Sequence, residues 1–190
     1  MRLRIYGDDL SFPLSVFDDP AGVERADTPL GAGLRLAVGN AADLLPFPVP
    51  SAEWRLLAVS DAQALFGHGE PPEVATMLLR LQDDEWVFEG LARAATVEVA
   101  RTGLERATWV VAGPVTADAT DLPIDVSTNG RAVAPEVVED ETSVTISCFA
   151  GPPFAQMKGW PPKVRVVVPL DRPFGGRRLL DGAVYPARAV

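Results

Sequence analysis

The side chains able to carry chemistry are few and scattered. The only histidine, His68, stands between Gly67 and Gly69. An imidazole freed by two glycines could serve as a general base, because its ordinary pKa lies near neutrality. The plainer alternative is a loop histidine exposed at the end of a helix. The only cysteine, Cys148, falls in phase with Val144 and Ile146 along an alternating run. That phase predicts a buried thiol acting as a small hydrophobe, since a nucleophilic thiolate needs an exposed, electropositive setting. Acids cluster at Asp8-Asp9, Asp18-Asp19, Asp83-Asp84-Glu85, Asp118/Asp121/Asp125 and Glu139-Asp140-Glu141. Two carboxylates facing across a cleft can hydrolyse a glycoside, and several on one loop can hold Ca²⁺. The spacing Asp118-x-x-Asp121-x-x-x-Asp125 fits no calcium loop, however. Charged turn tips also keep strands from pairing with other chains.

Several classes of chemistry are excluded outright. One cysteine rules out an internal disulfide and every multi-cysteine zinc site, and one histidine rules out an HExxH zincin. No Gly-x-Ser-x-Gly elbow occurs, which disfavours a Ser-His-Asp hydrolase of that type. Gly31-Ala32-Gly33 reads as leading into a strand, whereas a phosphate cradle needs a helix N-terminus. No catalytic set, metal site or cofactor motif emerges. The formal net charge of −9 argues against nucleic acid, whose phosphates need a concentrated basic surface. No run approaches the roughly 20 apolar residues of a membrane span. The stretch from Met1 to Asp9 lacks the apolar core of a signal peptide, so with Met1 as the native start the expected location is the cytoplasm.

Residues suited to binding are better represented. The run Gly151-Pro152-Pro153-Phe154-Ala155-Gln156-Met157-Lys158-Gly159-Trp160-Pro161-Pro162 joins two predicted strands. Its four prolines restrict the backbone and reduce the ordering entropy lost on docking. It offers Phe154, Met157 and Trp160, residue types enriched at interfaces. The alternative is that Phe154 and Trp160 fold back over one end of the domain. Pro46-Phe47-Pro48-Val49-Pro50, followed by Trp54, is a second segment of this kind, with Phe47 and Trp54 as its contact residues.

The elements that must position these residues are mostly strands. In Thr142 to Cys148 apolar residues alternate with hydroxyl residues, and in Lys163 to Val166 valines alternate with cations. A period of two puts Val144, Ile146 and Cys148 on one face, with Val164, Val166 and Val168 similarly aligned. Further strands are read at Leu3 and Ile5, at Leu34, Leu36 and Val38, from Arg55 to Val59, and through Met77, Leu79 and Leu81. Asp83-Asp84 turns the chain into Trp86-Val87-Phe88. Thr108 to Ala112, apolar on both faces, suggests a central strand. Asn129-Gly130 is a type I′ hairpin signal, and 139–141 reads as an exposed tip. Ser60-Asp61-Ala62-Gln63 has capping-box spacing for a two-turn helix ending at Gly67, and 91–95 is a second candidate helix. The expected fold is all-β and mostly antiparallel, a β-sandwich rather than a barrel, with one or two short helices. It is expected as one domain over 1–190 with a seam near 113–123.

The closing segment, Pro169-Leu170-Asp171-Arg172-Pro173-Phe174-Gly175-Gly176-Arg177-Arg178-Leu179-Leu180-Asp181-Gly182, resembles the C-terminal β unit of uncharacterised bacterial proteins. The resemblance covers about the last 50 residues and rests on the Pro-x-Gly-x-Arg-x-Leu-x-Asp-Gly run. Phe174 stands where that unit usually has leucine. It implies a β fold and no activity. The residues themselves favour a non-enzymatic interaction or assembly module. Its proline-stiffened aromatic loops, or a sheet edge, would hold a protein partner or a second copy of the chain. Two other readings are a carboxylate-based hydrolase or carbohydrate-binding sandwich, with Trp54, Trp86, Trp109 or Trp160 as sugar-stacking platforms, and a subunit of a larger particle.

Overall fold

The structure, a computed structural model, describes residues 1–5, 9–153 and 161–190. Strand accounts for 49% of it and helix for 13%, so the chain is mostly β, as the dyad rhythm requires. It forms two compact units, Met1–Val97 and Glu98–Val190. The boundary falls within one strand, and residues 113–123 lie inside the second unit.

The first unit contains β1 (Arg2–Ile5), β2 (Ser11–Pro13), helix α1 (Pro29–Leu44), β3 (Arg55–Val59), β4 (Gln63–His68), β5 (Glu73–Gln82) and most of β6 (Glu85–Val99). These strands make one sheet in the order β2-β1-β6-β5-β4-β3. Its two edges return toward each other, since β2 and the 3-10 turn Leu14–Phe17 pack on β3, and the sheet curls nearly into a barrel. Asp83 and Asp84 turn β5 into β6 with φ of 49° and 64°, as their pairing in sequence suggests.

Three local expectations fail here. Leu34, Leu36 and Val38 do not form a strand; they lie in α1. Thr28 caps that helix, its hydroxyl accepting from Gly31 N–H at 3.1 Å, and Pro29 occupies the first turn, where a missing N–H does no harm. The buried stripe is Leu34, Ala37, Val38 and Ala41, while Leu36 is 62% exposed. Two alanines made this 3.6-residue period weaker to the eye than the Leu-Leu-Val alternation. Gly31-Ala32-Gly33 thus opens a helix after all, yet its glycines serve packing. A Cβ on Gly31 would strike the Ala26 carbonyl, and one on Gly33 would sit 2.5 Å from Trp86 Cβ. The second failure is the helix expected after Ser60. Ser60 Oγ does accept from Gln63 N–H at 3.0 Å, but it closes a hairpin between β3 and β4. The following Ala64, Leu65, Phe66 and Gly67 are all buried, which a strand covered on both faces satisfies and a surface helix does not. Residues 91–95 likewise belong to β6.

The helix covers one face of the sheet. Ala64 and Phe66 of β4 stand opposite Leu79 and Met77 of β5. Together with Trp54 they enclose Leu34, Ala37, Val38 and Ala41 in one apolar cluster. Burying each large side chain there stabilises the unit by about 1.5–3 kcal/mol.

The second unit contains β7 (Glu105–Arg106), β8 (Thr108–Val111), β9 (Asp121–Ser127), β10 (Gly130–Ala132), β11 (Glu136–Glu139), β12 (Ser143–Ser147), β13 (Phe149–Pro153), β14 (Lys163–Pro169), β15 (Arg178–Asp181) and β16 (Arg188–Ala189). Its sheets have the orders β14-β9-β8, β11-β12-β15-β16 and β10-β13-β7. Trp109, Leu122, Ile124, Val126 and Val168 from the first share a core with Val144 and Ile146 from the second, joined by Cys148 and Ala150. Pairing is antiparallel except between β12 and β15, which run parallel. Two further expectations are corrected. Strand β8 is an edge strand, with Val110 48% exposed and Trp109 buried. Asn129-Gly130 makes no β9–β10 hairpin, because β9 pairs with β8 and β14 while β10 pairs with β13. Gly130 is needed for close approach instead, since a Cβ there would collide with the Gly151 carbonyl.

Candidate functional site

In the first unit the proline run 46–50 leaves α1 and becomes a ridge. Each proline fixes its own φ and steers the residue before it into extended backbone; Leu45, just ahead of Pro46, is already extended. One hydrogen bond ties the ridge to the fold, and two further sets fix the residues that follow it. The Trp54 indole N–H donates to the Pro50 carbonyl at 2.9 Å. The buried Glu24 carboxylate accepts from the N–H groups of Glu53 and Trp54 at 3.1 and 3.2 Å. The Trp54 carbonyl accepts from Gly22 and Val23 N–H in return. Arg35 then braces the Glu24 turn by donating to the carbonyls of Glu24 and Ala26.

His68, at the end of β4, lies beside this ridge, its ring 5.7 Å from that of Trp54 and tilted by 56°. Two concavities meet there. One, of about 420 Å³, is lined by Arg25, Pro48, Val49, Pro50 and Glu53. The other, of about 320 Å³, is lined by Pro48, Pro50, Glu73, Leu91 and Arg93. Pro48, Pro50 and His68 border both. Both are open toward solvent. The turn after His68 is pinned by Arg55, which donates to the Gly69 carbonyl and pairs with Glu70 at 2.9 Å.

Of the sequence-chosen binding residues, the fold brings two to this place. Phe47 is half-buried on the ridge, with the Arg93 guanidinium 4.9 Å over its ring. Trp54 is fully buried, so its ring is closed to a partner and acts as the ridge's anchor. Phe154, Met157 and Trp160 lie outside the described residues. Neither Trp54 nor Trp109 can stack on a sugar, both being buried, and Trp86 packs against α1. His68 is on a strand end rather than a helix end. Glu24, Glu53, Glu73 and Arg93 escaped sequence reasoning: Glu73 and Arg93 reach the prolines through strand register, Glu24 through a turn packed from a distant segment, and Glu53 lies in a loop with no motif of its own.

Three acids of the sequence clusters, Asp125, Glu139 and Asp140, are tied into the fold. Asp125 pairs with Arg165, which holds its carboxyl below the usual range. Burial would raise the Glu139 carboxyl, but the Asp171 N–H and Arg177 outweigh it and leave it lowered. Asp140 accepts from Ser143 and Thr142, side chain and backbone alike, and is held far below its ordinary value. Arg177 is itself buried and also donates to the carbonyls of Phe174, Arg172 and Pro173, clipping the closing segment. Arg106 similarly bridges Asp181 at 2.7 Å and the buried Glu98 at 3.5 Å.

No carboxylate or hydroxyl orients the His68 imidazole among the described residues, as a general base of the triad type requires. Among those residues, no group of three or more His, Cys, Asp and Glu could hold a metal ion, and no helix is long and apolar enough to cross a membrane. Compared with protein-family models, curated proteins and solved structures, the chain gives no match in any of the three.

Proposed function

We propose that this chain is a protein-interaction module whose first unit receives a partner segment along the proline ridge beside His68. One observation carries the reading. A stiff, partly apolar ridge is held at its base by the Trp54–Pro50 and Glu24 hydrogen bonds and flanked by two concavities. A surface ordered in advance loses little entropy on docking, and prolines and half-buried aromatics supply contact area without mobile side chains. The loop bearing Phe154, Met157 and Trp160 is proposed as a second contact, on its composition alone.

Selection from a random peptide library against the whole protein tests this. Selected peptides should bind the Phe47→Ala/Pro48→Gly double variant at least about tenfold more weakly, a loss of roughly 1.4 kcal/mol, with the β circular dichroism unchanged. Peptides that bind this variant as well as the parent would show that the ridge is not the receptor. Replacing Phe154, Met157 and Trp160 together asks the same of the loop, with partner binding and static light scattering as readouts.

A further inference from the structure

Strand β14 forms one edge of the β14-β9-β8 sheet. At 7 residues it is the longest sheet edge among the described residues, against 5 in β3 and 4 in β8 and β11. Two hydrogen bonds at its ends fix which of its backbone groups are spare. Thr128 N–H donates to the Pro162 carbonyl, and Leu170 N–H donates to the Thr120 carbonyl. Both bonds fit the register that runs from Lys163 opposite Ser127 to Pro169 opposite Asp121. In an antiparallel pair, alternate residues turn both backbone groups to the same neighbour, so the even-numbered residues of β14 face β9. The N–H groups of Lys163, Arg165 and Val167 therefore point away from the sheet, as do the carbonyls of those residues and of Pro169. Sheet edges are commonly guarded by a bulge, an interior proline or an inward-facing charge. This edge has an unbroken register and its proline at the end. Its cations lie on the outer face, opposite to Val166 and Val168, which pack on the core. Val164 and Val167, one on each face, are 44% and 56% exposed.

We propose that this edge pairs with the same edge of a second copy of the chain, antiparallel and centred on Val166, joining two β14-β9-β8 sheets into one. The pairing goes beyond the ridge reading, lies in the other unit, and neither depends on the other. Only registers that set odd residues opposite odd ones bring the spare backbone groups together. Centring on Lys163, Val164 or Arg165 sets cations directly opposite one another, which is destabilising. Centring on Val167 leaves Lys163 without a counterpart. With Val166 at the centre, Arg165 N–H meets the Val167 carbonyl of the second copy and Val167 N–H meets its Arg165 carbonyl. Lys163 N–H meets its Pro169 carbonyl, so every outward donor of the edge is satisfied. The side chains agree with this register. On the core-facing side Val164 comes beside Val168, and Val166 beside its own counterpart. On the outer face Arg165, already paired with Asp125 at 2.5 Å, meets Val167. Lys163 is exposed and in no ion pair among the described residues, contributing only a longer-range attraction to Asp125. Its stem would lie across Pro169 of the second copy, with Asp121 beyond it, two strand spacings of about 4.8 Å away. Within one chain Lys163 and Asp121 stand at opposite ends of the β9–β14 pair, so this charge complementarity exists only between copies.

Sedimentation velocity of the whole protein over a concentration series tests the pairing. A reversible dimer is expected, with a dissociation constant on the order of micromolar for so small an interface. Val167→Pro removes an outward donor and no bond to β9, so it should abolish the dimer and leave the β circular dichroism intact. Lys163→Glu should weaken the dimer roughly tenfold, and Lys163→Glu/Asp121→Lys should restore it. If the proline variant fails to fold, the charge exchange decides alone. A protein that stays monomeric at about 0.5 mM leaves the edge to another chain and overturns the proposal. A dimer unmoved by both single variants uses a different surface, which overturns it equally. A dimer weakened by Lys163→Glu but not restored by the exchange has another register, and the Val166-centred pairing is then wrong.

Discussion

Cys148 sits in the core of the second unit, where removal from water and the nearby Asp181 carboxylate both disfavour its thiolate and push the thiol up to about 12. The native protein should therefore resist iodoacetamide at mildly alkaline pH and react fully once unfolded. Rapid labelling of the native state would contradict the burial. This residue was legible in sequence, because in-phase placement beside Val144 and Ile146 is a local property of a strand. His68 was not. Its glycine neighbours suggested a loop, whereas its real neighbours are Trp54, fourteen positions earlier, and prolines earlier still. The acids at 139–141 were half legible: they do form a hairpin tip, but Glu139 reaches Arg177 across 38 positions, which no local pattern announces.

Among the elements, α1 shows how two codes compete. Its cap, Thr28-Pro29, and its stripe at 34, 37, 38 and 41 are both in the sequence, yet a coincidental alternation of Leu34, Leu36 and Val38 outweighed them. The helix can lie close to the sheet because Gly33 meets Trp86 with no Cβ between them. Gly33→Ala should therefore destabilise by about 1–3 kcal/mol through overpacking. Gly39→Ala, on the same helix with nothing within 4 Å of the added carbon, should stabilise by about 0.5–1 kcal/mol through helix propensity. Thermal or urea unfolding of the two variants side by side checks the contrast; equal effects would mean the helix is not seated on Trp86. Strand β4 makes the complementary point. Ser60 offers the same hydroxyl-to-backbone bond to a helix start or to a hairpin turn, and the continuous burial that follows decides between them.

Across the whole molecule, several carboxylates are held below their ordinary values: Asp125 by Arg165, Glu136 by Arg101, Glu139 by the Asp171 N–H and Arg177, and Asp140 by Ser143 and Thr142. A carboxyl whose folded pKa is depressed contributes stability that is present above its unfolded value and lost as pH falls through the folded one. The melting temperature should therefore fall as the pH drops below the ordinary Glu and Asp values of 4.5 and 3.8. Glu139→Gln should lower it at neutral pH and flatten the acid limb; an unchanged limb would show that Arg177 does not hold this carboxyl in solution. The amino-acid order alone determined the β class, the turns at 83–84 and 139–141, and the inward phase of Val144, Ile146 and Cys148. These depend on alternation and on turn chemistry within a few residues. Tertiary structure alone decided which of the two patterns at 34–41 prevails, that β8 is an edge, and that Glu24, His68 and Glu73 gather at the proline run that Trp54 follows. Those outcomes depend on which distant surfaces must be buried together, a requirement spread over the whole chain and written in no single segment of it.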